Sequence, residues 1–254
     1  NNGSLVSAAQ GNQFNPLTVS DGAGGAIIVW ADQRTGTNDV YAQRIDATGV
    51  VKWTSDGVAI CTAAGSQFNP MIIADSAGGA IITWYDYRGA NADIYVQRVN
   101  ANGIVQWTAN GVLLCAAAFD QAGPVLVSDG SAGAIVAWSD FRNGADYEIY
   151  ARRINSAGAP QWAADGVLVC TAPNAQNALA IAGDGAGGAI VTWEDNRVAG
   201  TDVYAQRING AGTPQWAANG AAVCNAGGNQ TTLSIAADGA SGAVLAWQDF
   251  RSGA

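Results

Sequence analysis

The sequence restates itself every 54 residues or so. "GGAIIVWADQR" at 24–34 returns as "GGAIITWYDYR" at 78–88, "AGAIVAWSDFR" at 132–142, "GGAIVTWEDNR" at 187–197 and "SGAVLAWQDFR" at 241–251. Its tryptophan falls at Trp30, Trp84, Trp138, Trp193 and Trp247, in steps of 54, 54, 55 and 54 residues. A second series, Trp53, Trp107, Trp162 and Trp216, uses up the other tryptophans of the chain. Cys61, Cys115, Cys170 and Cys224 keep the spacing, as do the arginine pairs Arg34/Arg44, Arg88/Arg98, Arg142/Arg153 and Arg197/Arg207. A fixed period of this size marks a tandem array in which each unit buries its faces against its neighbours. One insertion, in the third unit, interrupts it.

Each unit reads as four short strands. "PLTVSD" (16–21) and "AIIVWAD" (26–32) flank the glycine-rich "GAGG", suited to a tight hairpin. "DVYAQRI" (39–45) follows a polar loop, and "DATG" turns the chain into "VVKWTSDGVAI", where Asp56-Gly57 signals a bend or bulge. No apolar helical period of ten or more residues occurs. The second strand is apolar without alternation, as a strand covered on both faces must be. Four antiparallel strands in about 54 residues make a propeller blade, since WD40 blades take about 40–45 residues and kelch blades about 50. A parallel β-helix, the competing repeat fold, is built from much shorter coils.

The expected fold is therefore all-β: a propeller of four-stranded antiparallel blades, five in number, forming one domain over 1–254. Its units run 13–66, 67–120, 121–175, 176–229, and 230–254 together with 1–12. The phase supports the last assignment, because "NGSLVSAAQGNQ" at 2–13 matches "DGVAICTAAGSQ" at 56–67. About 17 residues of a fifth unit are not accounted for, so blade five is split between the ends and incomplete. A longer array or a neighbouring molecule would complete it.

The repeated "DGAGGAIIVWADQR", "DVYAQRIDATG" and the following Trp-Gly segment resemble the tandem β-propeller repeats of secreted and cell-surface bacterial proteins. "YAQRIDATGVVKW" is also similar to the Ala-Thr-Gly…Trp segment of quinoprotein-type propeller repeats. The resemblance covers the whole chain and implies an extracellular or cell-surface propeller. It implies no cofactor, because the quinoprotein metal and quinone ligands have no matching positions.

Composition narrows the partners. Net charge is −9, with 11 Lys and Arg against 20 Asp and Glu, and such a field repels a phosphate backbone, so nucleic acid is excluded. Apolar runs fall far short of the about 20 residues of a membrane span. With no histidine, neither a His-based triad nor a His-containing zinc site can be built. A glycosidase needs only two or three carboxylates at one mouth, and Asp120, Asp146 and Glu194 are the acids that do not recur between units. Calcium would need clustered Asp, Asn and carbonyls, as between Asp140 and Asp146, but no EF-hand spacing is present. No metal or cofactor is expected.

Other polar residues read as structural. Trp-x-Asp-x-Arg occurs five times, which suits a blade-to-blade brace better than an active site needed once. Asp21, Asp75, Asp129, Asp184 and Asp238 precede the glycine-rich turns and suit hydrogen bonds to their own backbone. The four cysteines occupy one equivalent position in successive blades, about 20 Å apart by strand spacing, whereas a disulfide needs Cα atoms within about 7 Å. They are expected to be free, buried thiols. The sequons at Asn2 and Asn229 are short enough to arise by chance.

Loops that vary between units, such as "TGTN" and "NGADY" or "AAAFD" and "TAPNA", leave one face, and recognition belongs there. Each first strand is headed by a glutamine, Gln13, Gln67, Gln121, Gln176 or Gln230. These amides suit either bracing the adjacent loop or holding an uncharged polar ligand at the channel mouth. Phe14, Asn15, Phe68, Asn69, Asp120 and Asn177 break the symmetry beside them. From the sequence, then, the chain is expected to be a non-catalytic extracellular module binding carbohydrate or a surface protein at this mouth. The alternatives are a filament or surface-layer subunit self-associating through the incomplete blade and, less favoured, a glycoside hydrolase.

Overall fold

The computed structural model describes residues 3–251. The chain falls into two compact units, Asn1–Leu114 and Cys115–Ala254. Asn2 of the first sequon lies outside the described residues.

The first unit holds two sheets. One runs β1 (Gln13–Ser20), β2 (Ala26–Asp32), β3 (Asp39–Ile45) and β4 (Val58–Cys61), in that order. The other runs β5 (Gln67–Ala74), β6 (Ala80–Asp86), β7 (Asp93–Val99) and β8 (Val112–Cys115), which ends at the unit boundary. Between them Ile27, Val29, Val40, Ile60 and Cys61 pack against Ile72, Ile82, Trp84 and Val99.

The second unit repeats the plan. One sheet holds β9 (Gln121–Ser128), β10 (Ala134–Asp140), β11 (Glu148–Ile154) and β12 (Val167–Cys170). The next holds β13 (Gln176–Gly183), β14 (Ala189–Asp195), β15 (Asp202–Ile208) and β16 (Ala221–Cys224). A last sheet has two strands, β17 (Gln230–Ala237) and β18 (Ala243–Asp249). Ala137, Ile149, Val169 and Cys170 share a core with Val191, Trp193 and Ile208.

The second strand of each full sheet is buried almost throughout, as its unalternating composition requires. The same composition in β18 gives strictly alternating exposure. Two strand limits differ from the sequence reading. First strands start at the glutamine that heads them, three residues ahead of the apolar run that begins at Pro16, and each contains a bulge one residue after the glutamine. The residue in the bulge, Asn15, Asn69, Gly123, Ala178 or Thr232, has φ between 48° and 58°, which breaks the apolar alternation that a sequence reader follows. Fourth strands are only four residues long, and of residues 51–57 only Val51 pairs, in an isolated bridge to Ile45.

Candidate functional site

Three polar devices recur in the sheets and account for most of the charged residues. In the first, Asp86 at the end of β6 is wholly buried. It accepts the Trp84 indole N–H at 2.9 Å, the Arg88 backbone N–H at 2.8 Å and Arg88 Nη2 at 2.6 Å. Arg88 also donates to the Asn110 carbonyl at 2.8 Å and lies over the Tyr95 ring, 3.7 Å from its centroid. Asp32, Asp140 and Asp195 are held alike. The ion pair therefore braces one sheet internally, not sheet to sheet as the sequence suggested. What reaches it from the preceding sheet is the thiol, with Cys61 Sγ 3.7 Å from Asp86 Oδ2. At Asp32, burial opposes the charge, but the Arg34 and Trp30 donors outweigh it and hold the carboxyl below the usual range.

In the second device Asp75 does accept its own turn, from the Ala77 and Gly79 N–H groups, and its other oxygen takes Arg98 Nε at 2.9 Å. Asp21 pairs likewise with Arg44, whose Nη1 reaches on to the Ala101 carbonyl in the next sheet. The Trp53 indole donates to that same carbonyl at 3.0 Å, which gives the second tryptophan series its duty.

The third device is the Asp-Gly bend. Asp56, Asn110, Asp165 and Asn219 have φ of 55–63°. Their side-chain oxygens accept the N–H of Ala8, Thr62, Ala116 and Thr171, each from the chain segment one repeat earlier, at 2.6–3.0 Å. The glycine that follows is obligatory, since a Cβ at Gly111 would meet the Trp84 ring at 2.7 Å.

The glutamines behave as loop braces. Gln121 Nε2 donates to the carbonyls of Ala117, Ala118 and Phe119 at 3.0–3.3 Å, and Gln67, Gln176 and Gln230 do the same in their loops. These four are wholly buried, and their Oε1 atoms accept no hydrogen bond from the described residues. Gln13 makes the same loop bonds but is exposed. With Phe14, Leu5 and Trp30 it lines a cavity of about 330 Å³ in the first unit.

What remains is specific to single sheets. Phe68 stacks on Tyr85 with centroids 5.5 Å apart and meets the edge of Tyr87 at 5.9 Å. In the second unit Phe141 lies 6.2 Å from Phe119 and 5.0 Å from Tyr147. The Asp120 carbonyl accepts the Phe141 N–H, and the Asp146 backbone is held by Asn143 Oδ1. Glu194 stands across the strand pair from Asn177, and its Oε1 accepts the Thr232 N–H at 2.8 Å. Among the described residues no group of three or more acids or thiols is placed to hold a metal, and no helix is long and apolar enough to cross a membrane.

No family model matches the sequence, and no curated protein does. Solved structures do resemble the fold. An α-L-arabinanase of Penicillium chrysogenum, complexed with arabinobiose, is similar with a TM-score of 0.58 at 12% identity, over 92% of this chain and 74% of that one. The α-L-arabinofuranosidase Arb93A of Fusarium graminearum gives 0.54 at 10% identity, over 96% and 77%. An α-L-arabinofuranosidase of Clostridium thermocellum gives 0.50 at 17%, over 84% and 75%. The chain is an all-β protein of the β-propeller fold. Nothing in these likenesses supports the quinoprotein resemblance of the "YAQRIDATGVVKW" segment.

They also correct the functional expectation. The three similar structures named above are of glycosidases, and against them the reading of a non-catalytic interaction module, and with it the filament or surface-layer alternative, is withdrawn.

Proposed function

We propose that the chain is an extracellular glycoside hydrolase acting on a neutral polysaccharide, with α-L-arabinosides the first substrates to try. The observation that carries this reading is Glu194. It occupies a position filled by Ala31, Tyr85, Ser139 and Gln248 in the other sheets, beside Asn177 of the candidate mouth. One carboxylate oxygen is anchored by the Thr232 N–H, and Oε2 carries no hydrogen bond among the described residues.

In a chain without histidine, proton transfer at a glycosidic oxygen falls to carboxyl groups. A carboxyl fixed through one oxygen presents the other in a defined direction, which is what an acid or base requires. Asp120, at the head of β9 in the same unit, is the second carboxylate that departs from the repeat. The fold likeness to an α-L-arabinanase and an α-L-arabinofuranosidase supports the same reaction class. Within the second unit Asn177, which faces Glu194 across the strand pair, would contact the sugar, while the wholly buried Gln121, Gln176 and Gln230 hold the loops of the mouth. A polymeric substrate places the protein outside the cell.

The test is reducing-sugar release from soluble arabinan, xylan and galactan by the purified chain. Glu194→Gln keeps an acceptor for the Thr232 N–H and removes only the ionisable group, so it is expected to lower the rate about 100-fold or more with an unchanged melting curve. Full activity in that variant, or no release by the natural sequence from any of the three, would refute the reading.

A further inference from the structure

The position of Phe119 in the repeat is occupied by Gly11, Gly65, Asn174 and Gly228 elsewhere. All five residues have left-handed backbone, with φ of 85°, 82°, 59°, 63° and 91° in chain order. Glycine and asparagine adopt that conformation readily, whereas a bulky aromatic residue there is an outlier. Burial does not repay the strain, because Phe119 is 50% exposed.

Of its neighbours, Tyr147 departs from the repeat as well, replacing Asn38, Ala92 and Thr201, whereas Phe141 has aromatic counterparts in Tyr87 and Phe250. Phe141 and Tyr147 stand where the next sheet has Asn196 and Thr201. In that sheet the three positions are joined by ordinary hydrogen bonds, Asn174 Nδ2 to the Asn196 carbonyl at 3.1 Å and Thr201 Oγ1 to Asn196 Oδ1 at 2.9 Å. The scaffold is therefore braced there without rings, and in this sheet three rings replace the brace. The loop carrying the array's insertion passes Gly144 beside Phe119, where a Cβ would lie 3.2 Å from the ring. A strained, exposed ring that the fold does not need, set against two partly buried rings, points to a ligand.

We infer that Phe119, Phe141 and Tyr147 form a stacking subsite for a neutral sugar ring of the polysaccharide. Sugar rings have an apolar C–H face and a hydroxylated rim. The aromatic faces suit the first, and the Asp146 carboxylate in the Phe141–Tyr147 loop supplies an acceptor for the second. A net charge of −9 disfavours an anionic ligand. This inference rests on the glycosidase reading for its substrate class and assigns that substrate a second point of attachment.

The test is Phe119→Gly, which restores the residue most common at this repeat position. Glycine relieves the strained φ, so the melting temperature is expected to hold or rise. Migration in native gels containing soluble arabinan, xylan or galactan reports binding. We expect the natural sequence to be retarded by at least one of them, and the variant to bind that polysaccharide about tenfold more weakly or worse. A lowered melting temperature would show Phe119 to be a packing residue and overturn the inference. So would equal retardation of the two proteins, or no retardation of either. If the natural sequence binds, the variant does not and no sugar is released, the subsite stands and the glycosidase reading falls. If both proteins release sugar and are equally retarded, the glycosidase reading stands and the subsite falls.

Discussion

The sulfur of Cys61, on β4, lies 3.3 Å from Nη2 of Arg88, whose partner Asp86 closes the second strand of the following sheet. Each thiol sits at a seam, and burial pushes those of Cys61 and Cys115 up to about 12 and that of Cys170 to about 11. All four are free. Because the folded values exceed the ordinary thiol value of 9.0, the thiols' contribution to stability is complete below pH 9 and disappears as pH rises through the folded values. Ellman titration at pH 8 is expected to find Cys61, Cys115 and Cys170 silent in the folded protein, with Cys224, which is half-buried, reacting first. All four should react after denaturation. Fewer than four would contradict the seam geometry.

Removing Asp86 leaves Arg88 without its ion-pair partner and the Trp84 indole without its acceptor. Asp86→Ala is expected to cost about 3–5 kcal/mol in urea unfolding. A loss below about 1 kcal/mol would mean that the pair behaves as an exposed one.

The second tryptophan series and the Asp21–Arg44 pairing were both present in the sequence as period, yet their partners were not. Arg44 stands 23 residues from Asp21 and meets it only once β1, β2 and β3 lie side by side. Trp53 finds its acceptor in a turn 48 residues on. Strand order and the free cysteines were legible because they follow from spacing alone. The aromatic subsite was not, since Phe119 comes from the loop before β9 and Phe141 and Tyr147 from the loop between β10 and β11, and the rings meet only once those strands pair.

Asp39 lies directly opposite Asp32 in the β2–β3 ladder and is 2% exposed. Burial raises its carboxyl, the facing Asp32 adds to this, and the Thr35 hydroxyl at 2.5 Å offsets only part. A raised acid stabilises the fold below its unfolded value and loses that contribution as pH climbs. Asp39→Asn is therefore expected to melt at or above the natural sequence at pH 7, and the difference should narrow by pH 3.5. A variant that melts several degrees lower at pH 7 would show the charge to be needed.

Gly111 has φ 94° and no room for a Cβ against Trp84. Gly111→Ala is expected to lose about 1–3 kcal/mol through overpacking and backbone strain together, read from chemical denaturation. Gly22, whose Cβ would meet nothing within 4 Å, supplies the control for strain alone.

The Asp-Gly bends impose a boundary on any cut-and-paste engineering of this array. Ala8 and Thr62 each precede the glutamine that opens a repeat, yet their N–H groups are claimed by Asp56 and Asn110 of the repeat that follows. A cassette excised from glutamine to glutamine would leave that acceptor empty and the Asp–Arg pocket without its covering thiol. A transplantable module must instead be permuted, starting near the cysteine of one repeat and ending just before the cysteine of the next.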